Sequence, residues 1–196
     1  MLKVLPVIDA DTAARYESLI DNIKGEVARI SHFASSFLEY GRPFELHRRR
    51  CALNTMLDEM LELVAARAAA GQVQIRCDIT PLPELDLDPE FIKTCLYNIV
   101  VNAFEAMPAG GTLTVRGLVD DGLVTLAFAD TGVGLDAEEL DKVFTPLFST
   151  KQGGLGLGLA LTRRIIEEHG GKVGFTSTRG LGSEVSLHLP LEEVRG

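Results

Sequence analysis

The sequence is poor in cysteine and has no tryptophan, and its three cysteines carry no pairing or metal-binding pattern. Cys51, Cys77 and Cys95 are odd in number, and no two of them have C-x-x-C spacing. A disulfide scaffold and a zinc ribbon are therefore excluded, and a reducing compartment is expected. No apolar run approaches the roughly 18 residues that span a bilayer, and residues 1–8 are too short for a signal peptide. We expect a soluble, cytoplasmic chain with no membrane insertion by this segment.

Positive charge is also scarce. Nineteen lysines and arginines stand against 28 aspartates and glutamates, so that the formal net charge is −9 at pH 7. This balance argues against a general binder of nucleic acid or of anionic membranes, and any bound polyanion needs a local cradle. With 196 residues, of which 46% are hydrophobic, the chain should fold around one main core with room for a helical appendage.

Residues 11–40 contain no proline and one glycine, and their apolar side chains recur with alternating spacings of four and three residues. The seam consists of Tyr16, Ile20, Ile23, Val27, Ile30, Ala34 and Phe37. Because a strict heptad places one seam of a helix against another helix, we predict a long bundle or coiled-coil helix that dimerises the chain. A helix packed on its own domain is the alternative. A break at Gly41 to Pro43 divides the chain into predicted domains 1–43 and 44–196.

The rest of the chain combines helices with strands joined by short turns. Helices are predicted over residues 53–70, 89–107 and 136–143, and from the glycines at 153–158 to His169, where a helix C-terminus favours positive charge. Strands are predicted over residues 73–79, 112–119, 123–129, 172–178 and 183–189. The second and third strands are expected to form an antiparallel hairpin. These elements predict an α+β fold, a two-layer sandwich with a mixed, mostly antiparallel sheet.

Asn98 and Asn102 lie four residues apart on the helix predicted after Pro89, so that both carboxamides project from one face. Their oxygens can coordinate a hard cation and their amides can meet phosphate oxygens, which suits magnesium bridging a nucleotide. In isolation, such a pair is more often a polar helix face or a source of side-chain hydrogen bonds.

Asp130, Gly132 and Gly134 form a D-x-G-x-G pattern directly after an apolar strand. At the end of a strand the carboxylate can point into a cleft and accept a hydrogen bond from an exocyclic amine such as that of adenine. The glycines allow the backbone to turn tightly and to approach a flat ring. A loop that merely needs flexible glycines is the alternative.

A glycine-rich stretch, residues 153–160, precedes the last predicted helix. Glycines at a helix start expose backbone N–H groups and the positive end of the helix dipole to phosphate oxygens, which supplies the local cradle that an acidic protein needs. A dinucleotide-binding Rossmann site is rejected, because no βαβ unit surrounds the glycines and Leu159 occupies the third glycine position. Lys151 can add a point charge to a terminal phosphate, although a lone loop lysine is more often simply solvated.

Together and in this order, the patterns resemble the boxes of the sensor histidine kinase catalytic domain, in the superfamily that also contains gyrase, Hsp90 and MutL. The N box corresponds to residues 98–103 (NIVVNA), the G1 box to 130–134 (DTGVG), the F box to 144–148 (FTPLF) and the G2 box to 154–158 (GLGLG). The run from Phe144 to Lys151 looks most like the nitrogen-regulation and dicarboxylate-sensor subgroup. The resemblance covers about residues 53–191 and implies a Bergerat-type ATP-binding fold.

The resemblance also implies a role for each site residue. Asn102 would be the magnesium ligand, Asn98 would assist at the phosphates, and Asp130 would recognise adenine. Lys151 would hold the triphosphate together with the G2 glycines. The full implied nucleotide-binding set is Asn98, Asn102, Asp130, Gly132, Gly134, Phe144, Phe148, Thr150, Lys151, Gly154, Gly156 and Gly158. The implied catalytic residues are Asn98, Asn102 and Lys151, and the implied cofactors are ATP and Mg²⁺.

Two positions distinguish this chain within the superfamily. Hydrolysing relatives have a glutamate one helical turn before the magnesium asparagine, and this chain has Asn98 there, which cannot act as a general base. A site that binds MgATP and activates water poorly preserves the γ-phosphate for another nucleophile, so phosphotransfer to histidine is favoured over rapid hydrolysis. Leu155 stands where many family members have threonine or serine, so that one hydrogen bond to the lid or the phosphates is missing.

The helix predicted over residues 11–40 resembles the second helix of the dimerisation and phosphotransfer hairpin that precedes this catalytic domain. In the family, the first helix carries the accepting histidine followed by an acidic residue, and this sequence has no His-Glu or His-Asp pair. We therefore expect the acceptor to lie outside this chain, with such a hairpin and a response-regulator receiver domain as partners and a homodimer formed through residues 11–40. His32 is the alternative acceptor. The alternative functions are a catalytically silent nucleotide-binding scaffold and a slow ATPase.

Overall fold

The computed structural model describes residues 45–151 and 154–191, together with Tyr16. Seven strands lie within the described residues: β1 (Arg49–Cys51), β2 (Val73–Ile79), β3 (Leu85–Leu87), β4 (Gly111–Asp120), β5 (Leu123–Asp130), β6 (Lys172–Thr178) and β7 (Gly182–Pro190). The four helices within residues 45–151 and 154–191, which we call the catalytic part, are α1 (Leu53–Ala70), α2 (Pro89–Ala106), α3 (Ala137–Leu140) and α4 (Gly158–Glu168). The predicted elements agree with these to within one or two residues, apart from the short α3.

Five strands form one sheet in the order β2-β4-β5-β7-β6. Strand β2 pairs with β4 in parallel, and every other neighbouring pair is antiparallel. The β4–β5 hairpin turns at Asp121 and Gly122, which have φ angles of 46° and 76°, as the tight turn between twisted strands requires. The mixed, mostly antiparallel sheet is confirmed.

One face of the sheet packs against the helices. Along β4 the residues Leu113, Val115 and Gly117 are buried while their neighbours are half-buried or exposed. This alternation is typical of a strand with one covered face. The most completely buried side chains of the core include Leu53, Leu57, Ile92, Leu96, Ile99, Leu113, Leu126, Phe128, Ile165, Ile166 and Leu187. The structure is thus a two-layer α+β sandwich, as predicted.

A two-stranded antiparallel sheet, β1 with β3, was not predicted. Each strand has three residues, which is too short for an alternating pattern to be recognised. The sheet buries Cys51, Leu85 and Leu87 and joins the start of the catalytic part to the chain just before α2.

Helix α3 is shorter than the predicted range of residues 136–143. Asp136 and Glu139 form a capping box that begins the helix. After Leu140 the backbone changes to tighter turns, in which Lys142 N–H and Val143 N–H donate to the carbonyls three residues earlier.

His169 does not carry the positive charge that a helix C-terminus favours. The side chain is buried, its Nε2 accepts the Asp88 N–H at 3.0 Å, and its Nδ1 lies 2.7 Å from the Ile165 carbonyl oxygen. A ring that accepts at one nitrogen and donates at the other is neutral. Desolvation lowers the pKa of His169, so the ring acts as a neutral link between the start of α2 and the end of α4.

The helix predicted over residues 11–40, with its dimer seam and His32, lies outside the described residues except for Tyr16. Tyr16 is helical, with 55% of its surface exposed. The division at residue 43 likewise stays a prediction. Among the described helices, none combines the length and the apolar character that a membrane crossing would need.

Candidate functional site

The two asparagines lie on the face of α2 that meets the start of α4. Asp88 caps α2 by accepting the Glu90 and Phe91 N–H groups, and Pro89 opens the first turn. The buried stripe of this helix includes Ile99 and Ala103, and Asn98 and Asn102 lie half-buried beside it. Asn98 Nδ2 is 3.5 Å from the carbonyl oxygen of Gly158, the first residue of α4. The structure therefore brings the first and third sequence patterns together.

Asp130 is the last residue of β5, and one of its carboxylate oxygens points into the loop that follows the strand. Its Oδ1 accepts the Gly132 N–H at 2.8 Å and the Ser183 N–H at 3.3 Å. No hydrogen bond among the described residues goes to Oδ2, which leaves this oxygen for a ligand. Burial raises the pKa of Asp130, and the two backbone hydrogen bonds and the Lys151 charge oppose that rise.

The loop after this strand, which we call the Asp130 loop (residues 130–134), needs glycine because other elements approach it closely. A β-carbon at Gly132 would lie 2.5 Å from the Ala106 carbonyl oxygen and 2.7 Å from Asp130 Oδ1. Gly134 has a φ of 60°, and a β-carbon there would overlap the Thr178 carbonyl. The loop therefore lies directly against the end of α2 and the end of β6.

The G2 glycines border the start of α4. Gly156 has a φ of 63°, and a β-carbon there would overlap the Phe148 carbonyl. Its own carbonyl oxygen accepts the Leu147 N–H at 3.0 Å, which joins the F box to the G2 box. Helix α4 begins with no side-chain cap and no acidic residue in its first turn. Its first N–H groups and the positive end of its dipole therefore suit an anionic ligand.

Lys151 reaches across to α2. Its Nζ lies 3.0 Å from Asn102 Oδ1, 3.3 Å from the Asn102 carbonyl oxygen and 2.8 Å from Glu105 Oε2. The other carboxylate oxygen of Glu105 lies 3.4 Å from Arg67 Nη2, on α1. The predicted lysine and magnesium asparagine are therefore in contact in this structure.

Sequence reasoning missed Glu105, Arg67 and Ser183. Glu105 lies three residues after Asn102, so helical spacing could have placed it on the same face. Ser183 is 53 residues from Asp130, and only the pairing of β5 with β7 reveals the contact, because Asp130 lies opposite Ser183. Arg67 comes from α1, for which the sequence gives no relation to the site.

The F-box residues differ in their surroundings. The Phe144 ring stands edge-to-face on Phe175 with centroids 6.2 Å apart, and the Arg163 guanidinium lies 5.4 Å above it. Phe148 is half-buried and Thr150 is exposed. Phe144 thus packs between β6 and α4, and a contact of Phe144, Phe148 or Thr150 with nucleotide stays a prediction.

The donor set fits magnesium bound mainly through a ligand's phosphates. Within residues 45–151 and 154–191, no cluster of three His, Cys, Asp or Glu side chains could hold a metal. Asn102 Oδ1 already accepts a cationic group, and Glu105 lies beside it. Mg²⁺ prefers such hard oxygen ligands and commonly uses one or two of them together with waters and substrate phosphates.

Asn98 stands at the position where the family resemblance implies a glutamate in hydrolysing relatives, and its amide Nδ2 lies 3.5 Å from the Gly158 carbonyl oxygen. The nearby carboxylate of Glu105 is engaged by Lys151 and Arg67, one on each oxygen.

Comparison with known proteins relates this chain to histidine kinases. Residues 87–193 match the family model described as "Histidine kinase-, DNA gyrase B-, and HSP90-like ATPase". The sensor histidine kinase ZraS of Escherichia coli K12 is 35% identical over 171 residues, which cover 87% of this chain and 37% of ZraS. Sporulation kinase E of Bacillus subtilis is 30% identical over 181 residues, which cover 91% of this chain and 24% of the kinase.

Solved structures agree with the sequence relatives. The catalytic domain of histidine kinase ThkA matches with a TM-score of 0.67 and 27% identity, over 74% of this chain and 96% of that domain. Full-length ShkA in complex with AMPPNP matches with a TM-score of 0.76 and 26% identity, over 97% of this chain and 41% of ShkA. ThkA in complex with the response regulator TrrA matches with a TM-score of 0.79 and 26% identity, over 95% of this chain and 53% of ThkA.

These findings confirm the resemblance to sensor histidine kinases. The chain spans between about a quarter and two fifths of the length of the curated relatives it matches, 37% of ZraS and 24% of sporulation kinase E.

Proposed function

Because this chain belongs to the histidine kinase-, DNA gyrase B- and HSP90-like ATPase family and carries the ATP-binding catalytic domain of sensor histidine kinases, we propose that it transfers the γ-phosphoryl group of MgATP to a protein histidine. In this reaction the bond between the γ-phosphorus and the bridging oxygen breaks, a phosphorus–nitrogen bond to imidazole forms, the imidazole N–H proton is lost, and ADP leaves. The observation that carries the proposal is the convergence of Asn98 with the first residue of α4. This contact joins a metal-binding helix face to a phosphate-binding helix start.

Asp130 recognises adenine in this proposal. The Asp130 Oδ2 atom has no hydrogen bond among the described residues and can accept the exocyclic amine, while Oδ1 stays bonded to Gly132 and Ser183. Gly132 allows the loop to pack against Ala106 and Asp130, where a side chain would collide with both. Gly134 acts by allowing the turn that holds this loop.

The triphosphate lies between α2 and the start of α4. Asn102 would hold the magnesium ion, which would supply positive charge to neutralise the phosphates. Asn98, Lys151 and the backbone N–H groups at Gly154, Gly156 and Gly158 hold the phosphate oxygens. Phe144, Phe148 and Thr150 complete the proposed nucleotide-binding set.

Transfer is favoured over hydrolysis because the chain has an asparagine where a water-activating carboxylate would have to stand. Asn98 does not take a proton from water at neutral pH. Bound MgATP therefore keeps its γ-phosphoryl group until an imidazole nitrogen, which is itself a nucleophile, reaches it. A slow ATPase would require water activation by a group other than Asn98.

The acceptor and the partners follow from the family. We propose that the accepting histidine belongs to a helical phosphotransfer hairpin of which residues 11–40 are the second helix, within a domain of residues 1–43. The same helix forms a homodimer, and a response-regulator receiver domain takes the phosphoryl group onward. The similarity to ThkA in complex with a response regulator supports this partnership. The chain's place is the cytoplasm, since its three cysteines are all free, and one of them, Cys77, is exposed.

Transfer of label tests the proposal. The chain is incubated with γ-labelled MgATP and a separately supplied histidine-bearing hairpin from a related kinase. We expect acid-labile, base-stable label on the hairpin and its loss in Asn102→Ala. Asn54→Ala, which removes an asparagine hydrogen-bonded to the Leu82 N–H far along the chain, is the control and should retain transfer.

Two results would contradict the proposal. Nucleotide binding that depends on Asn102 without any transfer would favour a silent scaffold. Release of free phosphate without protein-bound label would favour an ATPase. Label on the chain alone that disappears in His32→Gln would instead make His32 the acceptor.

A further inference from the structure

Lys151 places a positive charge on the oxygen proposed to hold magnesium. An ammonium has three N–H donors, and here the Nζ atom has three oxygen neighbours, two from Asn102 and one from Glu105. The side chain is 32% exposed, so water is within reach, yet the ammonium turns inward to α2. The oxygen proposed to hold magnesium therefore lies against a cation of the protein's own.

Glu105 is the group that makes this position favourable. A neutral carboxamide is a weak partner for an ammonium that could stay hydrated, whereas the Glu105 carboxylate supplies a charge-assisted hydrogen bond at 2.8 Å. Asn102 and Glu105 are three residues apart on α2, so their side chains point to the same side of the helix.

Arg67 fixes the direction of the Glu105 carboxylate. It lies 3.4 Å from Oε1, while Lys151 lies 2.8 Å from Oε2. Because Arg67 lies on α1 and Glu105 on α2, the orientation of Glu105 is set by helix packing as well as by Lys151.

Magnesium at Asn102 Oδ1 would repel the lysine ammonium. An amide oxygen has two lone pairs and can meet two partners, but Mg²⁺ at about 2.0–2.1 Å from this oxygen and an ammonium bonded to it would be neighbouring like charges. Binding of the metal would therefore favour departure of the lysine from Asn102. The displaced ammonium would then be free to bind the phosphates of the nucleotide.

We infer that Glu105 is a positioning residue that holds the Lys151 ammonium on Asn102 until magnesium takes this oxygen, and that the released lysine then binds the terminal phosphate. The inference rests on the proposed function, since it needs MgATP at this site. Its consequence is that the lysine engages the triphosphate fully only when the metal is present.

A double-mutant cycle on ATP affinity tests the inference. Dissociation constants for ATP are measured in EDTA for the full chain and for Glu105→Gln, Lys151→Met and the double variant. Glu105→Gln removes the anchoring charge and frees the lysine, so we expect ATP to bind about two- to fivefold more tightly, the range of a partly exposed ion pair. In the Lys151→Met background the same substitution should change nothing.

Magnesium titration of the ATP-bound protein supplies the second readout. Glu105→Gln should lower the Mg²⁺ concentration at half-saturation, because the metal no longer has to displace an anchored lysine. Glu59→Gln is the matched control. Glu59 on α1 pairs at 2.8 Å with Lys93 on α2, and Lys93 lies nine residues before Asn102. It should alter neither quantity, and all variants should unfold at similar temperatures.

Three outcomes would overturn the inference. The first is tighter ATP binding that persists in the Lys151→Met background, which would be a general effect of charge. The second is a higher Mg²⁺ requirement in Glu105→Gln, which would make the glutamate a metal-binding group. The third is no effect of Glu105→Gln although wild-type binding depends on Asn102. If instead the wild-type chain binds no ATP, or binds it equally in Asn102→Ala, the proposed function itself fails and this inference fails with it.

Discussion

The two ends of the candidate nucleotide site are held in different ways. The Asp130 loop is fixed by backbone hydrogen bonds to distant elements, with Val133 N–H donating to Ala106 at 3.0 Å and Gly180 N–H donating to Val133 at 2.8 Å. The lid residues, by which we mean 149–151 and 154, bond mostly to one another. Among the described residues, the side chain of Lys151 alone connects them by hydrogen bonds to a distant element.

The Asp130 loop is held by the shape of the packed backbones, whereas the lid residues are held by charge. At the Asp130 loop, backbones approach so closely that only glycine fits, so that the fold itself fixes the conformation of the loop. At the lid residues, exposed charges hold the chain, and such pairs change partners at little cost. We therefore expect substitutions in the Asp130 loop to lower the free energy of unfolding or to abolish nucleotide binding. Substitutions at the lid residues should lower only the affinity for nucleotide.

The largest effect is expected at Gly134. Gly134→Ala adds a β-carbon that overlaps the Thr178 carbonyl, and it also meets an unfavourable φ of 60°. We expect a loss of about 3 kcal/mol or more in the free energy of unfolding, measured by urea denaturation. Gly122→Ala is the matched control, since Gly122 has a φ of 76° and no atom within 4 Å of the added carbon. It should cost only about 1–2 kcal/mol of backbone strain, and equal losses would contradict the account.

The second-largest effect is expected at Asp130. Asp130→Asn retains an oxygen for the Gly132 and Ser183 N–H groups but presents an amide donor to the amine of adenine. We expect ATP affinity to fall about tenfold to a hundredfold by calorimetry. Because burial raises the pKa of Asp130, the ionised side chain costs stability at neutral pH, so the variant should be no less stable than the wild-type protein. Unchanged affinity would remove Asp130 from the site.

The same carboxylate predicts a pH dependence of binding. The ionised form accepts the adenine amine, and its pKa is raised above the ordinary value of 3.8. ATP affinity should therefore decline as the pH falls through this raised pKa, earlier than an exposed aspartate would protonate. Asp130→Asn should lack this decline, and an identical decline in the variant would assign it to another group.

A smaller effect is expected at the lid residues. Lys151→Met keeps the length of the side chain and removes its charge, so MgATP affinity should fall about fivefold or less. The free energy of unfolding should change little, because the Lys151–Glu105 pair is partly exposed and such pairs contribute little to stability. A loss of stability comparable to that of Gly134→Ala would erase the distinction between the two ends.

The smallest effect is expected at His169, which lies in the structure that both ends of the site share. His169 joins the start of α2 to the end of α4, and its lowered pKa means that the folded protein disfavours protonation of the ring. The free energy of unfolding should therefore decrease as the pH falls below about 6.5, the value in the unfolded chain. Urea denaturation from pH 7.5 to 5.5 should show this decrease in the wild-type protein and in His188→Gln, and a weaker one in His169→Gln. An unchanged slope in His169→Gln would exclude this histidine as its source.

Much of the catalytic part could be predicted from local patterns. The Asp88-Pro89 start fixed the beginning of α2, and the Asp-Gly turn fixed the β4–β5 hairpin, because both depend on a few neighbouring residues. Strands β1 and β3 could not be predicted, since three residues are too few to show an alternating pattern of burial. The neutral state of His169 was also missed, because it depends on the Asp88 N–H, which is distant in the sequence.

The candidate site could be predicted only as separate pieces. The sequence places Asn98, Asp130 and the glycines in order, but the Asn98–Gly158 and Asp130–Ser183 contacts arise from packing. The contact of Lys151 with Asn102 could not be foreseen, because loop residues carry no periodic signal that relates them to a helix.

The most direct test of the central claim measures transfer and hydrolysis in one reaction. The chain and a histidine-bearing hairpin receive γ-labelled MgATP, and protein-bound label and free phosphate are counted together for the wild type and for Asn98→Glu. We expect wild-type label to accumulate on the hairpin with little free phosphate, and Asn98→Glu to raise the fraction released as phosphate. Rapid, Asn102-dependent release of phosphate by the wild-type chain, with the hairpin left unlabelled, would contradict this expectation.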